Sequence, residues 1–180
     1  MKKQTEEYRQ NVWTGNDWNK EVLTCLHSTY EFSTKRCADD FYSGKYDHSF
    51  DLLVKALTQM DQTRQQVMDT LAITNFYERI WPKRADVNPD LRDRTQGVIS
   101  LRDRLMELEP KVLWYLKMDT DPRAAAAVKE AAKYVGIPLV MSWHPARHES
   151  EKDIITNLRE GWLEVQIELE RLMLAELLKK

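Results

Sequence analysis

Glycine and proline are scarce in this chain, with five and six residues among 180. A β-sandwich or barrel turns often and spends these residues at its turns, so the shortage favours long helices. Cysteine is scarcer still. Cys25 and Cys37 stand twelve apart with no Cys-x-x-Cys, which is not a zinc spacing. On one continuous helix they would lie about 18 Å apart, too far for a disulfide. Reduced thiols suit a cytoplasmic protein. No apolar run approaches the roughly 18 residues of a spanning helix. The start, "MKKQTEEYRQ", puts no apolar stretch behind its lysines, so neither a leader nor a membrane anchor is expected. Neither charge prevails: 27 basic and 29 acidic residues give a formal net charge of −2. Binding to nucleic acid would therefore need a local patch and is disfavoured as a global property. Linear catalytic signatures are missing too. There is no Gly-x-x-x-x-Gly-Lys, Gly-x-Gly-x-x-Gly, Gly-x-Ser-x-Gly, Glu-x-x-His or His-Glu-x-x-His. No cofactor is called for.

What is present reads as helix. A short first helix is expected over residues 5–13, then a turn at "TGND". A second helix would carry Trp18, Val22, Cys25, Leu26, Thr29, Cys37 and Phe41 as its apolar stripe. Phe50, Leu53, Val54, Leu57, Met60, Val67, Met68 and Leu71 predict a long helix over 48–80. Asn88 and Pro89 open a further helix to Leu108, and Asp121 with Pro122 opens one that Gly136 ends. Ile154, Leu158, Trp162, Val165 and Leu169 mark a long final helix over 149–180. The dense runs "KVLWYLKM" and "IPLVMSW" are ambiguous at their length. As strands they would make a βαβ unit at 111–143 in an α+β protein. Residues 1–108 offer no convincing third strand, so the expected fold is all-α, a single-domain multi-helix bundle over 1–180.

The stretch "SWHPARHESEKD" places His144 and His148 four apart, a spacing that can hold one metal ion on a helix face. A third ligand would come from His27 or His48. Against this, Ser150 and Asp153 form a capping pair that starts the helix after His148. If the βαβ unit exists, Asp119 and Asp121 would meet His144 and His148 at one sheet edge, which suits a metal-dependent hydrolase. Residues 79–104 hold Arg79, Lys83, Arg84, Arg92, Arg94, Arg102 and Arg104 among aspartates and offer a patch for nucleic-acid contact. Cys25 and His27, two apart, would face different ways on a helix. The leading expectation is a non-catalytic interaction protein, either an adaptor, an inhibitor or a subunit of a homo-oligomer. Its contact residues would be Trp13, Trp18, Trp143, Leu174, Leu177 and Leu178, bound to a protein partner or to a second copy.

Overall fold

The computed structural model describes residues 12–27, 29–30, 48–58, 63–77, 80–81, 88–145 and 149–179. Its strands are β1 (Val12–Thr14), β2 (Val22–Leu26), β3 (Thr29–Tyr30), β4 (Ala72–Asn75), β5 (Ile80–Trp81), β6 (Val112–Lys117) and β7 (Leu139–Trp143). Its helices are α1 (His48–Leu57), α2 (Arg64–Asp69), α3 (Leu91–Leu108), α4 (Pro122–Val135) and α5 (Glu151–Leu177). The main sheet has the order β1-β4-β2-β6-β7. β4, β2, β6 and β7 run parallel, and β1 lies antiparallel on β4. β3 and β5 form a separate parallel pair.

This is an α/β fold, and the expected all-α bundle is overturned. The physical reason lies in β2. Its five residues, "VLTCL", are all buried because helices cover both faces of the sheet. Such a strand shows no alternation, and its apolar residues can be threaded onto a helical stripe as easily as onto a strand. The expected 48–80 helix fails for the same reason. Its apolar residues divide between α1, which buries Leu53, Val54 and Leu57, and α2, which buries Val67 and Met68. Thr70 ends α2, and the buried run that follows is β4. The described part of the expected first helix is likewise strand, since Trp13 sits in β1 opposite Ile73. Between 111 and 143 the βαβ unit is present: β6 and β7 pair in parallel with Leu113 opposite Leu139, and α4 joins them.

Strand periodicity sorts the side chains into two cores. Val22, Leu26, Ile73, Val112, Trp114, Leu116 and Val140 face α1, α2 and α5. Leu23, Cys25, Ala72, Leu113 and Tyr115 face α3 and α4. Buried Ala124, Ala131 and Ala132 make the inner face of α4 thin, so the helix lies close to β6. On the other face Gly161 sets the approach of α5: a Cβ there would stand 1.7 Å from Ser142 Oγ. That hydroxyl accepts from Trp114 Nε1 at 2.8 Å, which joins β6 to β7 beneath the helix.

Helix limits follow local chemistry. Asp121 caps α4 and accepts from the Ala124 N–H, Pro122 occupies the first turn, and Gly136 closes the helix at φ 79°. Asp90 and Asp93 form a reciprocal cap on α3, so the cap is Asp90 and not the expected Asn88. Ser150 caps α5 through the Asp153 N–H.

Candidate active site at the carboxyl edge of the sheet

In chain order the four parallel strands are β2, β4, β6 and β7. The first two connect outward to one side of the sheet, and the chain then crosses to β6 on the other side. In open α/β sheets ligands bind outside the carboxyl ends of the strands at such a reversal, which here lies between β2 and β6. The residues that leave β2, β4 and β6 at this edge are His27, Tyr77 and Asp121.

Backbone hydrogen bonds set their positions. Beyond β4 the Phe76 N–H donates to the Leu26 carbonyl at 2.8 Å, and the Tyr77 N–H donates to the His27 carbonyl at 3.1 Å. The chain after β4 therefore stays beside the end of β2. From α3, the buried Arg104 donates through Nη1 to Thr74 Oγ1 at 2.9 Å and to the Asn75 carbonyl at 2.7 Å. Gly97 lets α3 pass over the same point, since a Cβ there would meet the Phe76 carbonyl oxygen at 2.9 Å.

Asp121 is the hub. Its Oδ2 accepts from the Tyr77 hydroxyl at 2.6 Å and stands 3.3 Å from His27 Nε2. Its Oδ1 accepts from the Ala124 N–H at 3.1 Å. The His27 and Tyr77 rings meet edge to face, with centroids 5.1 Å apart. Burial pushes the Asp121 carboxyl upward, but the bonds from Tyr77, Ala124 and His27 outweigh it and hold the group below the ordinary carboxylate range. Burial lowers His27 from 6.5, and Asp121 opposes that only in part. At neutral pH the site therefore pairs an ionised carboxylate with a neutral imidazole. An ionised carboxylate can only accept, so Nε2 carries the ring proton. Burial and then the bond to Asp121 push the Tyr77 hydroxyl well up, so it stays a donor, with the Arg94 guanidinium beside it. Beneath the site Cys25 is fully buried, and its thiol is pushed up to about 12 by burial, a core group and not a nucleophile.

The residues singled out from the sequence fall differently. Asp119 is exposed and lies 3.9 Å from Lys117 Nζ, while Asp121 turns inward to His27 and Tyr77. The half-buried His144 follows β7, and its N–H donates to the Lys117 carbonyl at 2.9 Å. His148 lies outside the described residues. Among the described residues no three His, Cys, Asp or Glu side chains are grouped to hold a metal ion. The described arginines of this region, Arg92, Arg94, Arg102 and Arg104, do not form one outward patch. Arg104 is inside, Arg102 lies 3.3 Å over the Tyr134 ring, Arg94 Nη1 donates to the Pro89 carbonyl, and Arg92 is exposed. Arg79, Lys83 and Arg84 lie outside the described residues. Trp18 is half-buried against the second core and donates its indole N–H to the Val22 carbonyl at 3.0 Å. Trp143 is half-buried, with its backbone N–H on Asn157 Oδ1. Leu174, Leu177 and Leu178 are exposed.

Sequence reasoning missed Tyr77 and offered His27 only as a third metal ligand, not as the partner of Asp121. His27 and Asp121 are 94 positions apart and share no motif. The usable signal was that each follows a dense apolar run, "VLTCL", "AITN" or "VLWYLK", at the point where a buried parallel strand ends. No protein-family model matches this chain, and no curated protein matches it.

Proposed function

We propose that this protein is an enzyme that binds a polar substrate at the carboxyl edge between β2 and β6 and hydrolyses it by proton transfer through His27. The observation that carries the reading is the convergence of residues from three strand ends on the Asp121 carboxylate, at the reversal in strand order. In this reading Asp121 orients the imidazole through Nε2 and stabilises its cationic form, while Nδ1 takes a proton from the attacking water and returns it to the leaving group as the substrate bond breaks. Tyr77 donates to the same oxygen, Oδ2, and holds it in place. Arg94 adds positive charge beside Tyr77, which suits a substrate with an anionic group. The reading moves from an interaction protein to an enzyme because an ionised carboxylate and a neutral imidazole form an acid–base pair, whereas a contact surface needs none.

The test is turnover of a panel of nitrophenyl esters, phosphodiesters, O-glycosides and nucleosides by the wild-type protein and by His27→Gln. The expected result is hydrolysis of one class that His27→Gln lowers by roughly 10²-fold or more while the circular dichroism stays that of the wild-type protein. A panel with no turnover, or turnover indifferent to His27, would overturn the proposal.

A further inference from the structure

We infer that α5 pairs with α5 of a second copy of this chain, antiparallel across a two-fold axis between Glu170 and Arg171. α5 starts just past the carboxyl end of β7, and its 27 residues span about 40 Å, far more than the five-residue strand beside it. Leu169 is its last buried residue, and Leu172 is the last side chain to touch the first core. Beyond Leu172 every residue through Lys179 is exposed. A helical stub of that length is marginal in water without a packing partner.

The stub and the turns before it carry a second apolar stripe. Leu163, Ile167 and Leu174 are 60–62% exposed and Leu178 is 87% exposed. At about 100° per residue these four fall within roughly 60° of one another, on the side opposite Leu158, Val165 and Leu169. Both sides of α5 are therefore apolar, and the body of the protein covers one of them.

Charge selects a second copy as the occupant and fixes its direction. Glu170 and Arg171 stand on either side of the stripe at its centre, each within roughly 50° of its midline. Arg171 Nη2 already lies 2.8 Å from Glu168 on the same helix. A parallel pairing would set Glu170 against Glu170 and Arg171 against Arg171, which is repulsive. An antiparallel pairing sets Leu163 against Leu178 of the partner subunit and Ile167 against Leu174 of the partner subunit. It also sets Glu170 against Arg171 of the partner subunit. Such a surface is self-complementary under a two-fold axis, as a closed dimer requires.

Sedimentation velocity of the full chain at micromolar and higher concentration tests this. The wild-type protein should sediment as a dimer, and Ile167→Glu with Leu174→Glu should be monomeric with unchanged circular dichroism, because both positions are exposed. Glu170→Arg alone and Arg171→Glu alone should each weaken the dimer by roughly tenfold or more. The two charge reversals in one chain should restore it. A monomeric wild-type protein would overturn the inference. So would a dimer that survives the paired glutamates, or a double reversal no stronger than the single ones.

Discussion

Asp121 does three jobs with two oxygens: it caps α4, holds Tyr77 and faces His27. Asp121→Ala should therefore cost more than an ordinary cap, roughly 2–4 kcal/mol in denaturant unfolding, from the lost cap and a lost bond to a charged acceptor. A cost below one ordinary cap would show that the hub is not formed. His27 adds a pH dependence whose sign follows from its lowered folded value. Between 6.5 and that value the unfolded chain binds the proton and the folded chain does not. This contribution is full above 6.5 and declines as pH falls, with a slope of up to about 1.4 kcal/mol per pH unit. Asp121, also depressed, adds its own loss at lower pH, as the solution falls from the unfolded carboxylate value through the folded one. Unfolding measured between pH 5 and 7 should show stability rising with pH, and His27→Gln should flatten that rise. An equal slope in the variant would assign the dependence elsewhere.

At the scale of elements, what the sequence disclosed was whatever local chemistry encodes. The start of α4 at Asp121 and Pro122, its stop at Gly136 and the Ser150–Asp153 cap of α5 were all readable, because each signal lies within four residues of the backbone it satisfies. β2 and β4 were not readable. Their side chains are buried on both faces by helices from distant parts of the chain, so the period-2 alternation that marks a half-buried strand is absent. Cys25 and His27 show the consequence: two apart, they point apart on a helix but to the same side of a strand. The site was hidden with the strands that present it. The contact of α5 with the sheet makes its own prediction. Gly161→Ala would drive a methyl group into the Ser142 hydroxyl and disturb its bond from Trp114. The expected cost is about 1–3 kcal/mol, read as a lower denaturation midpoint. A neutral substitution would mean that α5 sits farther from β7 than described.

Across the whole molecule, a sheet covered on both faces puts its most protected hydrogen bonds at the centre and the His27, Tyr77 and Asp121 cluster at one rim. β2 lies between β4 and β6, so the amides of Leu23 to Cys25 and of Leu113 to Tyr115 should exchange hydrogen most slowly. β1, a three-residue edge strand, should exchange faster. Uniform protection across the sheet would contradict this layering. No helix among the described residues is long and apolar enough to cross a membrane. The architecture gives a rigid parallel frame, an acid–base pair at the reversal of strand order, and a helix tail directed away from that edge. The account depends most on the coupling of His27 to Asp121. The direct measurement is an NMR titration of the His27 ring in the wild-type protein and in Asp121→Asn. The account predicts a wild-type midpoint below 6.5, and a lower one in the variant, which loses the carboxylate that favours the imidazolium. A midpoint at or above 6.5, or one that Asp121→Asn leaves in place, would contradict it.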